Sequence, residues 1–251
     1  MSIPYSAELY GESFADVYDV WYDEVSDAQA SAAFVRKVCG PGTVLELGVG
    51  SGRLADPLVA QGTTVVGVDA SMAMLRRCQP SDRLRLLLGD MRDLPFDANR
   101  PHFDGVLIGF NTLFNLVTGA DQQQLFEDVS KLLRSGGHLI VEATNHNTIA
   151  VESDNIGRSS QNFGITRQDG ESLVVASTVL DHQTQQIDGC HIECSDSAVT
   201  LRPWKLRWSS TEELDLYAER AGLILTSRTA DWSEKPFLSD STNHVSVYQR
   251  P

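Results

Sequence analysis

Between Gly42 and Gly137 short apolar runs alternate with segments of helical periodicity, and this alternation constrains the fold more than any other feature of the chain. Strands joined by connections long enough to hold a helix read as a parallel sheet with crossover helices. TVLEL (43–47), TVVGVD (64–69), LRLLL (84–88), FDGVLIGF (103–110) and HLIVE (138–142) are the predicted strands. The connecting helices are RLADPLVAQG, closed by Gly62, and SMAMLRRC, with Ser71 as its cap. A further helix, DQQQLFEDVSKLL, sets Leu125, Val129, Leu132 and Leu133 on one stripe and is stopped by Gly136 and Gly137.

Beyond Asn145 the pattern changes. ESLVVASTVLDH, TQQIDGCHIECS and AVTLRPWKLRW are long β-branched runs joined by polar turns, which predicts an antiparallel meander inserted after the fifth strand. STEELDLYAERAG returns to helical spacing, with Ser210 and Glu213 as a capping-box pair and Gly222 as the stop. LILTSRT and HVSVYQ are the last two strands, and residues 12–38 read as amphipathic helix carrying Phe14, Tyr18, Trp21 and Tyr22. The expected fold is α/β: a Rossmann-like, seven-stranded, mostly parallel sheet with helices on both faces, the inserted meander, and an N-terminal helical cap. A chain of 251 residues with 41% apolar content is read as one domain, with a cap (1–40), a core (41–145), a β insert (146–208) and a C-terminal helix with two strands (209–251).

Acidic residues outnumber basic ones by 34 to 20, a formal charge of −14, and no basic run offsets this. Nucleic acid and anionic membrane are therefore poor partners, and a small molecule is the expected one. No apolar stretch approaches the roughly 18 residues of a membrane span and MSIPYSAELYGES lacks a leader pattern, so a cytoplasmic protein is expected. Four cysteines are scattered without a CxxC pair and read as reduced thiols. Cys190 and Cys194 share a strand face, but a metal needs more ligands, so none is expected.

VLELGVGSGRL (44–54) joins the first strand to the first helix, the place where open α/β sheets bind ligands. Gly48, Gly50 and Gly52 begin a dinucleotide fingerprint, yet Arg53 stands where its last glycine belongs, and no Gly-Lys-Ser/Thr of a phosphate loop follows. Asp69 ends the second strand, where a carboxylate accepts from a ribose diol. Asp90, just past the third strand, is suited to an exocyclic amine, with the Met91 N–H as a donor; as a lone residue it reads equally as a turn. Glu46 points a carboxylate toward the loop from inside a strand, costly unless hydrogen bonds or a cation meet it. Together Glu46, Asp69 and Asp90 describe a pocket for a positively charged nucleoside rather than a pyrophosphate.

VLELGVGSG, VVGVDASMAML, LLLGDMRDLPF and LLRSGGHLIVE, in this order, resemble the successive motifs of class I S-adenosylmethionine-dependent methyltransferases over about residues 42–145. YDVWY, NTLFNL and the meander are similar, more loosely, to bacterial small-molecule enzymes of that class that modify amino sugars or natural products. The resemblance implies that Gly48, Gly50 and Gly52 pass the methionine part and ribose, and that Glu46 faces the ammonium side. It also places Asp69 on the ribose hydroxyls, Ala70 beside the adenine and Asp90 with Met91 on its edge, with Tyr22 and Tyr18 closing over the cofactor.

Such chemistry needs alignment of a lone pair with an activated methyl group, and little acid or base work unless the acceptor is a hydroxyl. Candidate catalytic residues are His146 as a base or a loop residue, Tyr22 as a lid or helix-packing residue, and Asn111 as a carboxylate or acceptor contact or a turn residue. Glu142 and Asn145 are expected just past the fifth strand, and His182, His191 and His244 read as strand residues. Arg202, Trp204, Arg207 and Trp208 in the insert suit an anionic or ring-bearing acceptor, or simply the two faces of a strand. The meander also offers a surface for pairing in a homodimer. The expected reaction is methyl transfer from S-adenosylmethionine to nitrogen or oxygen of a small molecule. The alternatives are a cofactor-binding fold without methyl transfer, such as a cyclase, and an NAD-type oxidoreductase.

Overall fold

A computed structural model describes residues 6–22, 27–97, 103–146, 160–168 and 172–251. The N-terminal stretch that reads as helical over 12–38 holds α1 (Leu9–Phe14), α2 (Tyr18–Trp21) and α3 (Ala28–Cys39). Residues 23–26 of that expectation lie outside the described residues, as do 147–159 and 169–171 of the insert. Asp27 caps α3, its side chain accepting from the Gln29 and Ala30 N–H groups.

The core follows as β1 (Thr43–Leu47), α4 (Ala55–Ala60), β2 (Thr64–Asp69), α5 (Met72–Leu75), β3 (Leu84–Leu88), β4 (Phe103–Ile108), α6 (Gly119–Leu132) and β5 (Leu133–Thr144). The insert supplies β6 (Ser160–Gln168), β7 (Ser172–Asp181), β8 (Gln186–Ser195) and β9 (Val199–Arg207). The chain ends with α7 (Thr211–Arg220), β10 (Ile224–Thr229) and β11 (Asn243–Gln249). The seven-stranded sheet runs β10-β11-β5-β4-β1-β2-β3, antiparallel only where β11 lies between its neighbours. Because side chains alternate across a strand, Leu45 and Leu47 join Phe114, Phe126 and Tyr248 in one core layer, while Val44 joins Phe34, Leu107 and Trp232 in the other.

Three boundaries of β4 and β5 differ from expectation. β4 stops at Ile108, short of 110, because Phe110 and Asn111 take left-handed φ values of 41° and 61° that an extended strand cannot hold. β5 begins at Leu133, five residues before 138, with no glycine stop between helix and strand. Leu133 pairs with Phe103 of β4, so tertiary pairing ends α6, and Gly136 (φ +79°) makes a local kink where its N–H donates to the Arg250 carbonyl. β5 also runs on to Thr144, two residues beyond the expected end, so that Glu142 is followed by further strand.

The insert is a separate antiparallel sheet, β6-β7-β8-β9, with one more strand than the three runs predicted. Its inner face turns Val174, Leu180, Ile187, Trp204 and Leu206 toward the core, and its outer face leaves Phe163, Ile165, Val199 and Leu201 exposed. Arg202, 5% exposed, ties the insert to the cap. Its guanidinium donates to the Ser13 carbonyl and Asp16 at 2.6 Å and to Glu193 at 2.7 Å.

The capping box at α7 is formed as read: the Glu213 N–H donates to Ser210 Oγ at 3.2 Å and the Ser210 N–H to Glu213 Oε2 at 2.9 Å. Replacing Ser210 by Ala leaves a helix-end N–H without its acceptor and should lower stability by about 1 kcal/mol. Urea denaturation checks this: the midpoint should fall with the slope unchanged.

Candidate functional site

The loop after β1 turns on two glycines. Gly48 has φ +68°, and its N–H and that of Val49 donate to the Val68 carbonyl at 2.8 and 3.1 Å, seating the loop against β2. A Cβ at Gly48 would meet Thr112 Cγ2 at 2.3 Å, so only glycine fits. Gly50, at φ +57°, has nothing within 4 Å of where its Cβ would stand; it lines a cavity, and a side chain there would occupy ligand space.

Asp69 is the hinge of this region. Oδ2 accepts from the Gly50 N–H and Oδ1 from the Ser71 N–H, both at 2.8 Å. A carboxylate offers about four acceptor positions, so capacity for ligand hydroxyls remains. Burial raises its pKa, against the pull of those backbone donors.

The cavity opens at the carboxyl ends of β1, β2, β3 and β4 and is roofed by the cap and the insert. Gly48, Gly50, Asp69, Ala70, Asp90 and Met91 line its sheet side, and Asn111, Thr112 and Asn115 the loop after β4. Tyr10, Tyr18 and Tyr22 come from the cap, and His191, Trp204 and Leu206 from the insert. Thus the fold brings together most of the residues singled out from the sequence, Tyr22 and Asn111 included. Gly52 stands behind the loop, its Cβ direction facing Asp56 and Cys78.

His146 is a correction: it does not line the cavity. Its ring is stacked on Trp208 and set edge-on to Phe114, each 5.5 Å away, and burial drives its pKa down to about 4. Packing of this kind favours the neutral imidazole. Asn111 is a turn residue whose side chain staples two strand ends: Oδ1 accepts from the Thr144 N–H at 2.7 Å and Nδ2 donates to Thr144 Oγ1 at 3.2 Å. Asp90 is engaged by Arg92, whose Nη2 lies 2.5 Å from Oδ2. Burial alone would raise the Asp90 pKa, but the Arg92 bonds outweigh it and hold the group low.

The cap is pinned over the loops by carboxylates. Asp19 accepts from Ser51 Oγ and from Arg77 at 2.5 Å, and Glu12 accepts from Ser71 Oγ at 2.8 Å. Inside the cap Tyr18 and Tyr22 lie 5.0 Å apart, centroid to centroid. Burial raises all three tyrosines, Tyr18 to about 12, so they stand in the cavity as neutral phenols.

His191 was passed over as a strand residue, yet it lines the cavity and accepts from Trp204 Nε1 at 3.0 Å. The available signal was strand parity: 189, 191 and 193 share the face of 200, 202 and 204, the run in which Arg202 and Trp204 stood out. Among the described residues no cluster of three or more His, Cys, Asp or Glu gathers as for a metal, and no helix is long and apolar enough to cross a membrane.

Glu46 is 2% exposed beneath the loop, behind the cavity lining, and its Oε2 has no hydrogen-bond partner. Burial pushes its pKa up to about 8, with Arg53 pulling the other way. Folding therefore favours the protonated form, and between the ordinary carboxylate range and about pH 8 the native chain binds the extra proton. The Glu46 contribution to stability must fall as pH rises through that window. Glu46→Gln should remove this component: the stability difference between variant and parent, from denaturation at pH 5 and pH 8 without ligand, should grow in the variant's favour at pH 8. A difference independent of pH would rule the assignment out.

Residues 44–137 match the family model described as "Methyltransferase domain". The cypemycin N-terminal methyltransferase of a Streptomyces species is 26% identical over 249 residues, covering 96% of this chain and 98% of the relative. The solved structure of the CcbJ methyltransferase from Streptomyces caelestis is 31% identical, with a TM-score of 0.89 and coverage of 98% and 99% of the two chains. The fold is also that of CalS10, an amino pentose methyltransferase from Micromonospora echinaspora solved with S-adenosylmethionine bound, at 20% identity, a TM-score of 0.64 and coverage of 100% and 99%.

Proposed function

The chain belongs to the S-adenosylmethionine-dependent methyltransferases, and from that premise we propose that it methylates the nitrogen of a small-molecule amine of natural-product type. The cofactor fits the residues present. Gly50 leaves open the space its side chain would fill, Asp69 keeps acceptor capacity for a ribose diol, and Glu46 carries an unpartnered buried oxygen behind the loop, suited to a cationic ligand. In this reading Ala70 and Met91 flank the adenine. Asp90 reaches the exocyclic amine only by sharing its carboxylate with Arg92.

When bound, the cofactor supplies a methyl group already activated on a positively charged sulfur. What the chain contributes is alignment and exclusion of water. The cap residues Tyr10, Tyr18 and Tyr22 close the cavity from solvent, and Tyr22, a neutral phenol, orients the acceptor. The Asn111 staple to Thr144 holds the loop after β4 at the cavity wall.

The choice of nitrogen rests on one observation: among the described lining residues, no group at the acceptor end is free to take a proton. His191 has its Nδ1 occupied by Trp204, and the tyrosines are held protonated by burial. A hydroxyl acceptor would need such a base as the new bond forms, whereas an amine needs only to arrive with its lone pair free. The relative named cypemycin N-terminal methyltransferase accords with this.

Calorimetric titration with S-adenosylmethionine, S-adenosylhomocysteine and NAD, each alone, tests the cofactor: binding of NAD without the other two would overturn the reading and favour the oxidoreductase. Asp69→Ala should weaken S-adenosylmethionine binding at least about tenfold, because it strands the diol's hydrogen bonds. Unchanged affinity in that variant removes Asp69 from the site. Mass analysis of reactions with amino sugars, amino amides and phenols then reads the acceptor. Products from phenols alone would contradict nitrogen transfer, and cofactor binding without any methylated product would favour the cyclase-type alternative.

A further inference from the structure

Trp204 on β9 stands opposite Gly189 on β8, and a Cβ at 189 would lie 2.2 Å from the indole. The missing side chain is what lets the ring lie flat across the sheet. His191, two residues along β8, faces the same side. The Trp204 Nε1–H reaches its Nδ1 at 3.0 Å.

An indole nitrogen only donates, so Nδ1 of His191 holds a lone pair and the neutral ring carries its proton on Nε2. Protonating Nδ1 would set two N–H groups against each other. Burial, and then the charge of Arg202, also hold the His191 pKa below its ordinary value. Phe14 and Trp21 wall the ring at 5.5 and 5.8 Å. His191 therefore lines the cavity as a fixed, uncharged donor, a role opposite to that of a base.

The charge around it selects the group it meets. Arg202 is bonded to both Asp16 and Glu193, so its guanidinium is committed to these two carboxylates and is not presented to an acceptor. A hydroxyl would set its own O–H against the Phe14 and Trp21 rings, poorer partners than water. A carbonyl oxygen only accepts and is free of that cost.

Resting on the amine reading above, we propose that His191 Nε2–H is a specificity-determining donor that binds an uncharged carbonyl oxygen beside the acceptor amine, so that the chain selects α-amino amides over plain alkyl amines. His191 positions the substrate and takes no proton. Trp204 acts through it by fixing the tautomer.

The test pairs alaninamide with 3-methylbutan-2-amine, which has the same shape without the carbonyl. With S-adenosylmethionine present, His191→Phe should lower kcat/KM for alaninamide at least about tenfold more than for the alkyl amine, through KM. His191→Gln, which keeps an N–H donor, should restore most of the loss. Comparing ratios between enzymes cancels the different basicities of the two amines. Equal losses on both amines, or a loss in kcat alone, would overturn the proposal, as would turnover of the alkyl amine only. Turnover of neither, with S-adenosylmethionine binding intact by calorimetry, counts against this acceptor class and leaves the cofactor reading standing. Failure of cofactor binding strikes the preceding reading instead. Nitrogen NMR of the folded chain gives a substrate-free check: the His191 proton should reside on Nε2 and redistribute in Trp204→Phe, and a proton found on Nδ1 in the parent would refute the assignment.

Discussion

One carboxylate organises the ligand-binding half of the molecule. Asp69, at the end of β2, takes hydrogen bonds from the Gly50 and Ser71 N–H groups, and so ties the loop after β1 to the turn after its own strand. Both loops then present backbone to the same cavity. Without that tie left-handed Gly50 would lose the partner of its N–H, and the tip of the loop would be free where a ligand needs a preformed wall. The tie stands beside the parallel pairing of β1 and β2, in which Leu47 faces Val68.

The cap and the insert are built onto this frame by charge, and each bond serves two elements. Asp19 and Glu12 fasten the cap to the loops they cover, while Asp16 fastens it to Arg202 in the insert. Asp19 is 46% exposed and its partner Arg77 35%, so that ion pair stabilises little. The weight of these carboxylates lies in placement. They hold three tyrosines of the cap and the His191–Trp204 pair of the insert in the lining of one cavity.

Much of the core was legible in the sequence because its signals are local. Strand TVLEL, helix caps at Ser71 and Ser210, and the stop at Gly222 each rest on neighbouring residues, and all stand where they were read. The start of β5 and the end of β4 were misplaced because distant pairings decided them: Leu133 with Phe103, and Asn111 with Thr144. The placement of His146 was misjudged for the same reason. Nothing near it in the chain announces that Trp208, sixty-odd residues on, will stack against its ring. His191 was undervalued because its partner lies on the next strand and the gap that admits that partner is a glycine, Gly189, without any sign of its own.

By itself the sequence determined the parallel sheet, the glycine loop and the acidic residues along its edge, which follow from periodicity and from side chains set a few residues apart and call for a positively charged nucleoside; the resemblance of its motifs to methyltransferases supplied the cofactor. Only the tertiary structure decided which groups face the acceptor. It turned His146 into the core, committed the Asn111 side chain to a staple and brought His191 under Trp204. The physical reason is that a side chain's protonation, tautomer and free lone pairs depend on what packs against it, and the packing partners here come from the cap and the insert, far along the chain from the loop that binds the cofactor.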